Sequence, residues 1–433
     1  KMNFYNLKHK EEQLNFKEAT IKGQGKDKGL FFPEDISKFS NEFLQNLPNL
    51  SNEEIAFQVM KDFAGDEIPE AELRKIVAET IAFEIPLKKV TENISVLELF
   101  HGPTLAFKDV GARFMSRCLG YFLKNETRKV TVLVATSGDT GGAVANGFYD
   151  VEGIEVVILY PKNRVSPVQE KQLTALGKNI HALEVNGSFD DCQALVKQAF
   201  SDESLNEKLL LTSANSINVA RWLPQQIYYV LALKQWLKIH SENPVICVPS
   251  GNFGNICAGI LAHHRGLPVE HFIAACNVND VVPEYLRTEI LQPKETVATI
   301  SNAMDVGDPS NFVRILELFD KEFNQVKNKL SGYTIDDEET LKTIKRVEKD
   351  YGYVLDPHGA VAFVALEKYL AEKGGKGFFL ETAHPVKFPD SVEQATGKSV
   401  EIPKSLEELM KQEKFTTEIN PQYEELKEFL LKK

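Results

Sequence analysis

The run His101-Gly-Pro-Thr-Leu-Ala-Phe-Lys-Asp109 places one lysine beside Leu105, Ala106 and Phe107. Burying an unpaired ammonium is costly. Burial also lowers a lysine's pKa and frees its amine to act as a nucleophile or base. A neutral amine of this kind condenses with aldehydes, which is the core of Schiff-base catalysis. If Lys108 does so, the chain is an enzyme that carries pyridoxal phosphate.

Three further segments could bind anions. Ser250-Gly-Asn-Phe-Gly-Asn255 joins a strand-like run to a helix-like one. Gly251 and Gly254 let backbone N–H groups turn inward, and the helix N-terminus adds partial positive charge, so Gly251, Asn252, Phe253, Gly254 and Asn255 can cradle a phosphate. The loop lacks the lysine and hydroxyl of a Walker A motif and the glycine spacing of the dinucleotide fingerprint, so a small phosphate ester suits it better than a nucleotide. A tight turn without a ligand is the other reading. Ser137-Gly-Asp-Thr-Gly-Gly142 has the same setting. Ser137, Gly138 and Thr140 could meet a carboxylate or phosphate, while Asp139 reads equally as a helix-capping carboxylate. Asn215-Ser-Ile-Asn-Val-Ala-Arg221 gathers amides, a hydroxyl and a guanidinium. Arg221 could grip an oxyanion bidentately, or the segment could be an Asn-rich helix start with a solvated arginine.

These loops need elements to aim them. Residues 1–95 read as mainly helical, with Leu73, Ile76, Val77, Thr80 and Ile81 on one face. Beyond them, strand-like runs at 96–100, 129–135, 153–160 and 181–185 alternate with turns and helices. A second set, at 244–249, 271–276 and 377–382, does the same. Strand, turn, helix and strand in repetition predict parallel sheets. The expected architecture is α/β: two doubly wound lobes behind a helical N-terminal region, divided as 1–95, 96–225 for the smaller lobe and 226–433 for the larger. Segments 406–411 and 422–432 read as charged amphipathic helices of the larger lobe.

The bulk composition excludes several classes. A formal net charge of -12 with no basic block argues against a nucleic-acid partner. No apolar run approaches a membrane span. The first residues lack an apolar signal core, and Met2 reads as the natural start. The five cysteines form no close pair, as expected of free thiols in a reducing, cytoplasmic setting. The histidines show no zinc spacing, and no metal is expected.

Lys108 in its run, the Ser-Gly-Asp-Thr-Gly turn, Asn-Ser-Ile-Asn and Ser-Gly-Asn-Phe-Gly-Asn stand in the order found in threonine synthases. The chain resembles that family over nearly its whole length. Tyr5-Asn6-Leu7, Gly29-Leu-Phe-Phe-Pro33, Asn277-Val-Asn-Asp280, Ser301-Asn-Ala-Met-Asp305 and Glu381-Thr-Ala-His-Pro-Val-Lys-Phe388 resemble its bacterial and fungal branch. The family belongs to the fold type II (tryptophan synthase β-like) pyridoxal phosphate enzymes.

The resemblance implies a role for each residue. Lys108 would hold the cofactor, Gly251 to Asn255 its phosphate, and Thr382 its pyridine nitrogen. Ser137, Gly138, Thr140, Asn215, Ser216, Asn218 and Arg221 would bind the substrate's carboxylate and phosphate. Asp139 falls where many fold type II enzymes carry an asparagine near the cofactor's phenolic oxygen. It must then be protonated there or turned away to cap the helix. The implied reaction is O-phospho-L-homoserine plus water giving L-threonine plus phosphate, in a monomer or weak homodimer. A serine/threonine dehydratase is the nearest alternative, but it needs no second anion pocket and would leave Arg221 without a purpose. A cofactor-free binding homologue is the alternative of another class, and the intact Lys108 and phosphate loop speak against it.

Overall fold

The N-terminal region mixes strands with its helices. The computed structural model describes residues 1–432. Strands β1 (Phe4–Asn6), β2 (Gln13–Leu14) and β3 (Phe31–Pro33) form an antiparallel sheet in the order β2-β1-β3. The expectation of a mainly helical start missed this sheet because each strand has only two or three residues, too few to display alternation. The helices Asn52–Ala64 and Glu70–Thr80 do form, and Leu73, Ile76, Val77 and Thr80 face inward as their spacing predicts.

The next strands in chain order are β4 (Leu87–Lys89), β5 (Ile94–Glu98), β6 (Lys129–Ala135), β7 (Ile154–Pro161), β8 (Ile180–Val185) and β9 (Leu209–Thr212). They are followed by β10 (Val245–Pro249), β11 (His271–Cys276), β12 (Leu330–Thr334), β13 (Gly377–Glu381) and β14 (Thr416–Ile419). One sheet runs β14-β8-β7-β6-β9, all parallel. The other runs β12-β11-β10-β13-β5-β4 and is parallel except for β4. Helices cover both faces of such sheets, which is why β6, β10 and β11 read as unbroken apolar runs.

Two segments change lobes relative to the expected divisions at 95/96 and 225/226. β5, assigned from sequence to the smaller lobe, lies between β13 and β4 in the six-stranded sheet. All five of its residues are buried, as a strand covered on both faces requires. β14, expected to lie in the larger lobe, pairs with β8 and covers what would otherwise be an open sheet edge.

The parallel strands aim the motifs. The loops carrying Lys108, Ser137 to Thr140, Asn215 to Arg221, Gly251 to Asn255 and Thr382 leave the carboxyl ends of β5, β6, β9, β10 and β13. Ligand crevices in open α/β sheets form at those ends. The largest core cluster runs through all three regions, from Phe4 and Phe63 through Val132 to Ile246 and Phe378. No helix among the described residues is long and apolar enough to cross a membrane.

Candidate active site

Lys108 is the first residue of the helix Lys108–Phe122, and the loop before it is clamped on both sides. The Thr104 backbone N–H donates to Asp109 at 2.9 Å, and the Thr104 hydroxyl donates to the same carboxylate at 2.7 Å. Leu105 takes a left-handed backbone, φ 62°, which is costly without a surrounding brace. Here its carbonyl accepts the N–H of His384 at 2.9 Å, and the Phe107 N–H donates to the Thr382 carbonyl at 2.9 Å. The start of the lysine helix is thereby tied to the end of β13.

Lys108 keeps partial solvent access although protein encloses its amine, as expected of a side chain that projects into a cleft. Burial lowers its pKa to about 8; Asp139 opposes the shift, and Arg221 and Lys387 reinforce it. The interactions of the amine with these groups are electrostatic only, so its lone pair is free of any hydrogen bond or ion pair among the described residues.

Asp139 neither caps its helix nor carries a proton. It sits in the first turn of Asp139–Phe148, which has no side-chain cap. Its Oδ1 accepts the Nζ of Lys387 at 2.6 Å and the Nε2 of Gln169 at 3.2 Å. Burial alone would raise the carboxyl, but the charges of Lys387 and Lys108 and these two hydrogen bonds outweigh it and hold Asp139 below the usual carboxylate range. The choice posed from sequence between a proton and a cap is therefore replaced by an ion pair. Lys387 itself is buried and also donates to the Thr104 carbonyl at 2.9 Å. Thr136 braces the turn, its hydroxyl accepting the N–H groups of Gly138 at 2.9 Å and Gly141 at 2.8 Å. Gly138 has φ 143°, and a Cβ there would lie 2.5 Å from the Gln169 side chain.

The glycine loop after β10 has no room for side chains at its first position. A Cβ on Gly251 would lie 2.6 Å from the Ala303 carbonyl oxygen and 2.9 Å from the Met304 Cα. Phe253 turns left-handed at φ 68° and starts the helix Gly254–His264. The side chain of Asn255 folds back, donating to the Pro249 carbonyl at 3.1 Å and accepting the Ile256 N–H at 2.8 Å. What this loop can offer an anion is therefore its first-turn backbone N–H groups. Asn252 connects the loop to the next motif, donating to the Ser216 hydroxyl at 3.1 Å.

Arg221 is buried with little to hold it. Its Nη1 donates to the Ala214 carbonyl at 2.5 Å, while Nε has no partner among the described residues. Burial lowers its pKa to about 10, with Asp109 opposing. An unsatisfied buried guanidinium N–H calls for an acceptor, and an oxyanion is the natural one. Ser216 and Thr140 are half-buried and Ser137 and Asn215 exposed, so all four remain open to a ligand. Asn218 is different. Its Nδ2 donates to the Thr20 carbonyl at 2.9 Å and its Oδ1 caps the helix Val219–Trp222 by accepting the Ala220 N–H at 2.9 Å. It pins the N-terminal region to the site, and its amide is not free to bind substrate as expected from sequence.

Lys387 was missed in the reading of residue roles, although a signal was present. It stands between Val386 and Phe388, and the argument that singles out Lys108 among apolar neighbours applies to it equally. Gln169 and Thr104 gave no such signal, because their roles arise only from tertiary contact. Together the residues fit pyridoxal phosphate: a free, enclosed amine, a glycine cradle that a Cβ would fill, and an arginine with an orphaned donor.

The comparisons agree with this fit. Residues 81–377 match the family described as pyridoxal-phosphate dependent enzyme. Residues 3–81 match the threonine synthase N terminus, and 359–430 the threonine synthase C-terminal family. The chain is 46% identical over 431 residues to a threonine synthase of Haemophilus influenzae, covering 100% of both chains. The crystal structure of Escherichia coli threonine synthase superposes with a TM-score of 0.91 at 45% identity, covering 99% of each chain. A threonine synthase of Brucella melitensis with bound pyridoxal phosphate does so with a TM-score of 0.94 at 35% identity, again covering 99% of each.

Proposed function

The chain belongs to the threonine synthase family, and we propose that it converts O-phospho-L-homoserine and water to L-threonine and phosphate at the site around Lys108. It is a pyridoxal phosphate-dependent lyase. Lys108 would hold the cofactor through its amine, the loop Gly251 to Asn255 would hold the cofactor phosphate by backbone N–H groups, and Thr382 would serve the ring nitrogen. Once bound, the cofactor supplies an electron sink for charge that develops on the substrate carbons.

The rest of the work falls to the chain. Lys108, with its pKa lowered to about 8, would serve as the base that takes the proton from the substrate Cα. Arg221 and Ser216 hold the leaving phosphate, with Asn215, Ser137, Gly138 and Thr140 completing the pocket for the two anionic ends. The ion pair of Asp139 and Lys387 adds no net charge beside these groups. The enclosed, uncommitted amine of Lys108 within electrostatic reach of Arg221, whose Nε lacks a partner among the described residues, is the observation that carries this reading. The five cysteines are unpaired and buried, which suits a reducing cytoplasm. The protein acts on a small molecule as a monomer or weak homodimer.

The test is to incubate the protein with O-phospho-L-homoserine and assay phosphate and threonine in one tube. Equal release of both, lost in Lys108→Ala, is expected. Phosphate with a keto acid in place of threonine would mean elimination without hydration and would overturn the assignment of substrate.

A further inference from the structure

A set of buried acids next to the site has no part in the chemistry above. Glu381 ends β13, one residue before Thr382, and is fully buried. Its Oε2 accepts the Asp356 N–H at 3.1 Å. Its Oε1 finds no donor among the described residues, although the carboxyl of Asp356 lies within hydrogen-bonding reach. Asp356, also buried, caps the helix Pro357–Lys373. It accepts the backbone N–H groups of His358 at 3.2 Å and Gly359 at 2.8 Å, and the Nδ1–H of His358 at 2.6 Å.

So many donors make Asp356 the ionised member of the pair. Two facing carboxylates in a dry site cannot both hold a charge, so Glu381 carries a proton. That proton makes the Glu381 carboxyl a donor toward Asp356. Burial and the nearby Asp356 and Glu98 push the Glu381 carboxyl well above the usual range, in the same direction. His358 then passes the contact on. Its Nε2 accepts the Ala303 N–H at 3.1 Å, which places the ring proton on Nδ1. The carbonyl of Ala303 is the group that leaves no room for a side chain at Gly251. At the other end, the carbonyl of Glu381 accepts the Leu99 N–H at 3.0 Å and that of Thr382 accepts the Phe107 N–H at 2.9 Å.

We infer that Glu381, Asp356 and His358 form a positioning relay that locks the phosphate loop at Gly251 to the strand end bearing Thr382. Neither Glu381 nor His358 touches the reacting atoms. They hold the two ends of the cofactor site at a fixed separation. The inference rests on the assignment of Gly251 and Thr382 to the cofactor and deepens it.

The relay depends on pH through the groups that face Glu381. These are Asp356 at the start of Pro357–Lys373, Tyr353 before it and Glu98 on β5; His358 is held against Asp356, and His384 beyond β13 faces Asp356 and Glu98 in turn. Glu98 is itself held by Tyr353 at 2.6 Å, His101 at 2.9 Å and Lys88 at 3.1 Å. Ionisation of Glu381 against Asp356 would loosen the relay, so raising the pH works against it.

The experiment dilutes holoenzyme into cofactor-free buffer between about pH 7 and 10 and follows loss of pyridoxal phosphate by its absorbance. Wild type should release the cofactor faster as pH rises. Glu381→Gln should match wild type at neutral pH, because its amide copies a protonated carboxyl, and should lack the added alkaline acceleration. His358→Leu removes both ring hydrogen bonds and should release cofactor at least about tenfold faster at neutral pH, the worth of the lost link to Ala303 alone. Identical pH profiles for wild type and Glu381→Gln would overturn the relay, and so would wild-type release from a folded His358→Leu. If His358→Leu does not fold, the Glu381→Gln comparison decides alone. A wild type that never takes up pyridoxal phosphate would overturn the site assignment and the relay with it.

Discussion

Lys387 and Asp139 form an ion pair in the site, and both are buried. Removing one partner of a buried pair strands the other charge, at a cost of roughly 3–5 kcal/mol. Lys387→Met in the apoprotein should lower the unfolding free energy at pH 7 by about that amount, and adding Asp139→Asn should restore most of it. The sign of the pH effect follows from Asp139. Its folded pKa is depressed, so its contribution is present above the unfolded value, about 4, and is lost as pH falls toward the folded one. Without Lys387 the carboxyl is raised, so the deficit should narrow as pH drops from 7 toward about 4 and the stranded group takes up a proton. Urea denaturation at both pH values checks this; a double variant no better than the sum of its parts would refute the coupling. At this scale the sequence revealed residue types but not partners. Lys108 and the glycine of the phosphate loop could be picked out because a buried lysine or a glycine turn is unusual in itself. The commitment of Asn218 to Thr20 could not, because the two lie far apart in the chain.

Among the elements, the strands buried on both faces were legible and the short edge strands were not. β6, β7, β10 and β11 announce themselves as apolar runs. β14 does not: only four residues long and exposed at Thr417 and Glu418, it shows no period. Its placement comes from the helix after it. Leu426 and Leu430 of Tyr423–Lys432 enter the core formed by Leu133, Leu183, Cys192 and Leu195, and Tyr423 donates to Asp202 at 2.6 Å. The amphipathic spacing of that helix was readable in the sequence. That its apolar face lies on the smaller lobe was not, since periodicity shows that a face is buried but not against what. Leu426→Ala should therefore destabilise by about 2–5 kcal/mol, as for other buried leucine truncations. Leu431→Ala, at 40% exposure, should change little. Thermal unfolding of the two variants decides the matter, and equal melting temperatures would mean that the tail is not part of the smaller lobe's core.

For the whole molecule, the N-terminal region is part of one continuous core and does not form a separate cap. Phe4, Phe16, Phe31 and Phe63 are buried in the same cluster as Phe114, Trp222 and Ile256. Buried arginines stitch the interior across it. Arg314 donates to the Phe31 carbonyl at 3.1 and 2.9 Å and lies 4.3 Å from the Trp222 ring, and Arg265 donates to the Val59 carbonyl at 2.9 Å and to Asp62 at 2.7 Å. Asn218 reaches Thr20 from the site, and Thr212 reaches Ile21 from the end of β9. Removing residues 1–81 would uncover this apolar core and strip Arg314 and Arg265 of these acceptors, leaving them the side chains of Asn311 and Gln226. The truncated chain should then lose its near-UV circular dichroism and bind pyridoxal phosphate poorly, even though Lys108, the glycine loop and Thr382 are all retained. If it kept a native spectrum and full cofactor affinity, the shared core would be nonessential, and the two sheets would suffice to build the site.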